Sequence, residues 1–222
     1  MNAIVTGGSR GLGLALVRAL ADAGWRVVTD GRDGSALIEA VGGLRPEVIP
    51  IPGDITDAGH RAELVAAAGD RIDLLVNNAG GLGPSPLPAL TDYPLDELTD
   101  LFTVNVVAPL GLIQTALPRL ASDAVIVDIT SDASIEAYEG WGGYGSTKAA
   151  LDHLGRVLAV ERPDIRVLTI DPGDMRTQMH QDAFPGEDIS DRPRPEESVP
   201  GILTLIDSDR PSGRYRVAEV ER

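Results

Sequence analysis

The chain contains no cysteine in 222 residues. Thiol nucleophiles, disulfides and thiolate metal sites are therefore excluded, and the composition suits a reducing compartment. Lysine is almost as scarce. Lys148 is the only one, and every other basic side chain is arginine. Basic groups are outnumbered, 19 against 34 acids, for a net charge of −15. That balance argues against nucleic acid or an anionic membrane as a partner; keeping the chain in solution is the plain use of the charge. Three histidines, His60, His153 and His180, lie scattered without metal-ligand spacing, so no catalytic metal is expected. The first residues, Met1 to Thr6, run straight into a strand-like segment with no basic and apolar leader before it. No apolar run reads as long enough to cross a bilayer, and there are no long repeats or low-complexity tracts. One domain spanning 1–222, folding without disulfides or metals and residing in the cytoplasm, is the expectation.

What is present is a strict alternation of strand-like and helix-like segments. Ala3-Ile4-Val5 reads as a buried strand, followed by Thr6-Gly7-Gly8-Ser9-Arg10-Gly11-Leu12-Gly13 and an amphipathic helix. A strand, a glycine-rich turn and a helix cradle a phosphate. Glycines let the backbone approach, and the helix N-terminus offers free N–H groups and partial positive charge. The second strand, Arg26 to Thr29, leads through Asp30 and Gly31 to Arg32. An acid there reads a ribose 2′-hydroxyl and favours NAD, whereas arginine accommodates a 2′-phosphate. With Gly31 at the discriminating position, Arg32 and Arg10 favour NADP(H). If the strand ends one residue earlier, Asp30 becomes the ribose ligand and NAD(H) is preferred; Asp33 also weighs that way.

Further strands are expected at 47–51, 72–76, 124–131, 165–170 and 213–217, with helices at 35–41, 62–68, 98–117, 143–160 and from Pro195. Residues 82–96 read as an irregular, proline-rich loop. Pro109 is expected to kink the long helix 98–117, and mid-helix Asn105 to have a tertiary partner. Asp54, at a strand's C-terminal end, is expected to face the ligand crevice; the competing role is that Asp54 or Thr56 caps the helix near Asp57, and the two roles can coexist across neighbouring residues. The singular residues gather at strand ends: Asp54 and Ile55, Asn77-Asn78-Ala79-Gly80, Ser131, and Asp171-Pro172-Gly173. That pattern predicts an α/β, Rossmann-type, doubly wound parallel sheet with helices on both faces and a ligand along one edge.

Tyr144 and Lys148 stand one helical turn apart on one face. An ammonium beside a phenol favours the phenolate, which would fit Tyr144 for general acid–base work.

Taken in order, Thr6-Gly7-x-x-x-Gly11-x-Gly13, Asp54, Asn77-Asn78-Ala79-Gly80, Asn105, Ser131, Tyr144-x-x-x-Lys148 and Pro172-Gly173-x-x-x-Thr177 resemble the short-chain dehydrogenase/reductase family over about residues 1–177. The resemblance implies about seven strands in the order 3-2-1-4-5-6-7. It implies a nicotinamide cofactor carrying hydride, with Tyr144 exchanging a proton with the substrate oxygen. Ser131 would hold that oxygen. Lys148 would lower the phenol pKa and bond the nicotinamide ribose, and Asn105 would keep a water near Lys148. Gly7, Ser9, Arg10, Gly11, Leu12, Gly13 and Arg32 would surround the phosphates and adenosine end. Asp54 and Ile55 would meet the adenine, and Asn78, Ala79 and Gly80 the ribose. Pro172, Gly173, Met175 and Thr177 would meet the nicotinamide end. Asp128 and Asp171 depart from the asparagines common in the family.

The expected activity is reduction of a carbonyl or oxidation of a secondary alcohol. The same chemistry with NAD(H), or a non-catalytic cofactor-binding sensor, are the alternatives. Trp141, Phe184 and Tyr138 are candidates for an apolar substrate pocket, and 178–200 for a lid. Asp132, Glu136 and Glu139 disfavour a bulky anionic substrate if they face that pocket. Apolar residues on several faces of helices 98–117 and 143–160 predict a homodimer or homotetramer.

Overall fold

The computed structural model describes residues 1–44 and 48–220. Seven strands form one sheet: β1 (Asn2–Val5), β2 (Arg26–Gly31), β3 (Val48–Pro52), β4 (Ile72–Asn77), β5 (Leu120–Ile129), β6 (Arg166–Asp171) and β7 (Gly213–Arg216). Their order is β3-β2-β1-β4-β5-β6-β7 and every pairing is parallel. The central strands are built from Ile4, Val5, Leu74, Leu75, Val76, Ile126 and Val127, all fully buried. Continuous apolar runs of this kind mark strands covered on both faces.

Helices supply those covers. One core layer joins the sheet to α1 (Gly11–Asp22) and α8 (Pro195–Asp207) through Leu16, Leu20, Ile202 and Leu205. The opposite layer joins it to α3 (Ala58–Ala68) and α5 (Ala108–Ala116) through Leu64, Leu112, Ile113 and Ala116. The chain runs β1-β2-β3 outward in one direction and β4 to β7 in the other. The crevice between β1 and β4 therefore opens at their C-terminal ends, where such sheets take ligands.

Several boundaries differ from those read in the sequence. β2 continues past Thr29, because Asp30 and Gly31 still pair with Ile51 and Pro52. The third strand was expected to start at Glu47, which lies outside the described residues. α2 (Gly34–Val41) is capped by Asp33, and α3 by Asp57 rather than by Asp54 or Thr56. β5 begins at Leu120, four residues early.

The long helix starts at Leu95 as α4 (Leu95–Phe102). It passes through a π-helical turn at Thr103–Val107 and continues as α5. The π turn lies immediately before Pro109, where the sequence suggested a bend. Proline has no N–H to return to the Asn105 carbonyl one α-turn earlier, so the ladder widens there. By length and composition, Leu95–Arg119 could cross a bilayer, contrary to the sequence expectation. In the fold its apolar side chains Leu101, Leu112, Ile113 and Ala116 are buried in the protein.

α6 (Gly142–Glu161) carries Tyr144 and Lys148. The segment 178–200 holds α7 (Gln178–Ala183), a connecting stretch and the first turns of α8. At the start of α8 the Arg194 N–H donates to Glu197 Oε1 at 2.7 Å, a side-chain return typical of helix N-termini.

Candidate active site

The glycine loop after β1 is pressed onto the end of β4. Gly7 has φ +73°, and a Cβ at Gly13 would overlap the Gly7 carbonyl and the Asn78 amide. Thr6 Oγ1 accepts from the N–H groups of Asn78 and Ala79 at 3.0 and 2.9 Å, and Asn78 Nδ2 donates to the Thr6 carbonyl at 2.8 Å. The Asn78 side chain therefore braces the two strand ends as well as facing the crevice.

Asp30 lies inside β2 and is only 2% exposed. Its Oδ1 accepts from the Gly7 N–H at 2.6 Å and its Oδ2 meets His60 Nε2 at 3.1 Å. The His60 pKa is raised, first by that bond to Asp30 and against the effect of burial. Asp33 is engaged too, accepting from the Ala36 N–H at 3.0 Å. The two acids that could have read a ribose hydroxyl are thus held by the protein, and Arg10 and Arg32 stand exposed on the cleft wall. Asp54 forms a tight turn, accepting from the Thr56 N–H and hydroxyl at 2.9 and 2.8 Å. The Thr56 backbone bond is the main reason its pKa is lowered, and Arg32 and His60 add to the effect.

At the other end α6 meets the turn after β5. A Cβ on Gly145 would lie 2.5 Å from the Ala133 carbonyl. Glycine here lets the helix approach closely enough to set Tyr144 beside Ser131. Ser131 Oγ donates to Asp132 Oδ1 at 3.0 Å and accepts from the Ala133 N–H at 3.2 Å. Lys148 Nζ donates to the Ile129 carbonyl at 2.8 Å and sits 5.6 Å from the Tyr144 ring centre.

Asn105 is buried, and its side chain closes a ring of contacts. Oδ1 accepts from the Gly81 N–H at 2.8 Å, and Nδ2 donates to the Gly81 carbonyl and to Thr147 Oγ1 at 3.0 and 2.9 Å. It fastens the loop after β4 to α6, the tertiary partner that a mid-helix asparagine implied.

The electrostatics differ from the expected arrangement in one respect. Lys148 was expected to lower the Tyr144 pKa. In this structure burial raises it, the charges of Asp171 and Asp132 raise it further, and the Ser131 hydroxyl opposes them. Burial pushes Lys148 down to about 8, against Asp128 and Asp152. Burial likewise pushes Asp128 up to about 6, opposed by its bond from Asn77 and by Lys148. Asn77 Nδ2 donates to Asp128 Oδ1 at 2.7 Å, which supplies the partner that the departure from asparagine required.

One cleft of about 830 Å³ unites these parts. Every residue expected to hold a cofactor lines it, from Arg32 and Asp54 at one end to Tyr144 and Lys148 at the other, together with Ser131 and Trp141. Phe184 does not wall the cleft. It stands behind Trp141, ring centres 5.9 Å apart, and Trp141 in turn meets the Tyr144 ring edge-on at 5.8 Å. Tyr138 is half exposed, donates to Asp132 Oδ2 at 3.0 Å and does not line the cleft. A dinucleotide fits this cradle. Backbone at Gly7 and Gly13 comes close where phosphates would lie, and polar side chains cluster at the far end. Among the described residues no group of acids and histidines is arranged for a metal ion.

Residues 1–188 match the family model for short chain dehydrogenase. The chain belongs to the short-chain dehydrogenase/reductase family. As such it is an NAD(P)-dependent oxidoreductase. It is 36% identical over 191 residues to the rhamnolipids biosynthesis 3-oxoacyl-[acyl-carrier-protein] reductase of Pseudomonas aeruginosa, covering 80% of this chain and 73% of that one. It is 32% identical over 193 residues to benzil reductase ((S)-benzoin forming) of Saccharomyces cerevisiae, covering 81% and 73%. Its fold is similar to an alcohol dehydrogenase from the archaeon Thermococcus sibiricus complexed with 5-hydroxy-NADP. The TM-score is 0.83 at 25% identity, over 99% of this chain and 97% of that one.

Within this short-chain dehydrogenase, two residues behind the site escaped the sequence reading. His60 holds Asp30, and Arg214 on β7 reaches the strand ends. Neither sits in a motif, and only the fold brings each to its partner. His180, within the 178–200 stretch, lines the cleft and packs on Phe184 at 4.9 Å between ring centres. Asp171, the second departure, has its Oδ1 on the Gly173 N–H at 3.0 Å and its Oδ2 on Arg214 and Arg216 at 3.2 and 3.4 Å.

Proposed function

We propose that this enzyme is an NADP(H)-preferring oxidoreductase that interconverts a small neutral carbonyl compound and its secondary alcohol, with Tyr144 as acid and base. The reading is carried by the convergence of Ser131, Tyr144 and Lys148 at one end of a cleft whose other end is flanked by Arg10 and Arg32. NADPH bound along that cleft supplies the hydride. The chain supplies the position of the substrate oxygen and the proton it needs. Ser131 Oγ donates to that oxygen, and Tyr144 Oη gives it a proton in reduction and takes one in oxidation. Burial keeps the phenol protonated before reaction, which favours reduction, where the phenol must begin as an acid. Lys148, with its pKa pushed down to about 8, can return a proton to the phenol near neutral pH. Asn105 holds Thr147 and Gly81, and so keeps α6 in register with the loop it faces.

The cofactor preference is supported by the inward-facing Asp30, which leaves Arg32 and Arg10 to meet a 2′-phosphate as paired guanidinium donors. The NADP analogue bound by the Thermococcus sibiricus enzyme is in keeping with it. The substrate class is supported by the apolar cluster of Leu82, Ala133, Trp141 and Tyr144, and by Asp132 at its rim, which repels anions. The yeast benzil reductase is the nearer guide on this reading than the acyl-carrier-protein reductase. Pairing of two copies through helices 98–117 and 143–160 is supported by the exposed Val107, Val157 and Val160, and a solution mass would test it. Movement of 178–200 over the substrate is part of the same proposal.

The test is binding of NADPH and NADH side by side by calorimetry, with Arg32→Ala as control, followed by a panel of neutral ketones. NADPH should bind about tenfold or more tightly than NADH, equal to about 1.4 kcal/mol, and Arg32→Ala should erase the difference. Tighter NADH binding would overturn the preference, and turnover confined to acyl-carrier substrates would overturn the substrate class.

A further inference from the structure

β7 carries no family motif, yet its second residue, Arg214, reaches three separate parts of the site. Its Nε donates to Asp152 Oδ2 at 3.2 Å. Its Nη2 donates to the backbone carbonyl of Ser131 at 3.0 Å and to Asp171 Oδ2 at 3.2 Å. These acceptors belong to three chain segments. Ser131 follows β5, Asp171 ends β6 immediately before Pro172-Gly173, and Asp152 lies one turn beyond Lys148 on α6. Asp152 Oδ2 is also held by Ser134 Oγ at 2.6 Å, and Ser134 closes the short turn that Ser131 opens. Ser131 is therefore secured twice, through its own carbonyl and through the far end of its turn.

The cluster is largely screened from water. The Arg214 side chain is 20% exposed and those of Asp152 and Asp171 are 7% and 4%. In such surroundings a planar guanidinium, with donors on several edges, can join three acceptors in one geometry; a lysine ammonium on a flexible stem cannot hold them in the same way. We infer that Arg214 is a positioning residue that sets Ser131 against Tyr144, by tying the edge strand to the catalytic helix and to the ends of β5 and β6. It acts through these partners and touches neither substrate nor cofactor. The inference rests on the proposed roles of Ser131 and Tyr144.

A purely structural arginine would affect only stability, so the test reads the phenol. Tyr144 faces Ser131 and Asp132 from the turn after β5, Asp171 from β6, and Lys148 from its own helix. Arg214, with Arg216 beside it, is the cation that offsets Asp171. Losing Arg214 leaves the Asp171 charge less neutralised, and that charge opposes ionisation of the phenol. The pH at which alcohol oxidation reaches half its maximum should then move upward.

The experiment uses the full chain as wild type, Arg214→Gln and Arg214→Lys, with Arg162→Gln as a remote surface control. NADPH binding, thermal melting, kcat and KM on the best neutral ketone, and the pH profile of the reverse oxidation are measured. Arg214→Gln should bind NADPH within about threefold of wild type and lose about ten- to a hundredfold in kcat, the scale expected for a misplaced reacting group, with the pH midpoint moved upward. Arg214→Lys should recover the midpoint but not the full kcat, since it restores charge without the fork. An Arg214→Gln that melts lower yet keeps the wild-type kcat and midpoint overturns the inference alone. If Arg214→Gln does not fold, a folded Arg214→Lys with full kcat overturns it equally. A wild type that turns over no neutral ketone or alcohol refutes the function beneath it.

Discussion

The two ends of the cleft are built by different means. At the cofactor end the geometry comes from backbone. Glycines at 7 and 13 bring main chain against main chain, and the buried charge there is the Asp30–His60 pair, with Asp30 also holding the Gly7 N–H. At the catalytic end the geometry comes from side chains. Lys148, Asp128, Asp152, Asp171 and Arg214 lie around or behind the strand ends, where burial pushes Lys148 and Asp128 toward their neutral forms. The difference follows from the tasks proposed for the two ends. Holding a phosphate needs N–H groups and room, which glycine provides. Moving a proton needs titrating groups whose charge is tuned by neighbours.

The sharpest break in this comparison comes from the catalytic end. Tyr144→Phe should keep cofactor affinity within about threefold and lower turnover by about 10³-fold, inside the range for loss of a general acid. A phenylalanine variant with comparable kcat would place the proton donor elsewhere. Next in size is the anchor beneath the glycine loop. Asp30→Ala strips the Gly7 N–H and His60 of their shared acceptor, and should cost about 3 kcal/mol in urea unfolding, as broken buried pairs do. A loss no larger than that of a surface substitution would mean that the loop holds its shape without Asp30.

A smaller effect is expected at the cleft wall. Arg32→Ala should weaken NADPH about tenfold, with NADH within a factor of about two, as loss of a charge-assisted phosphate contact implies. Equal weakening of both cofactors would put Arg32 on a shared phosphate instead. The smallest effect is a slope. The His60 pKa is raised in the folded state by Asp30. Its stabilising contribution is therefore fully present below the unfolded value and is lost as pH rises through the folded one. Melting temperatures of the wild type should fall relative to His60→Gln as pH is raised from slightly acid to slightly alkaline. Parallel curves for the two proteins would show that the pair carries no pH-dependent stability.

Much of the cofactor end was legible in the chain, because its signal is local. Gly7, Gly11 and Gly13 stand between a strand and a helix, and their spacing implies close approach of backbone before any contact is known. Tyr144 and Lys148 were legible for the same reason, one turn apart on one helix. The engagement of Asp30 was not. It depended on where β2 ends and on what Asp30 meets, and its partner His60 is 30 residues away. Phe184 looked like pocket lining because aromatic character is visible in sequence and direction is not; the fold turns it behind Trp141. The Tyr144 pKa moved opposite to the expectation because a helical neighbour is visible in the sequence and burial is not.

By itself the order of residues determined the alternation of strands and helices, the family, and the functional groups delivered to one edge of the sheet. These follow from periodicity and short-range steric rules, which act within a few residues. Tertiary structure alone decided which partners the charged groups meet: Asp30 with His60, Asp128 with the Asn77 amide, and Arg214 with the Ser131 carbonyl across 83 residues. Electrostatic interaction and desolvation depend on distance and burial in space, and neither is a function of separation along the chain.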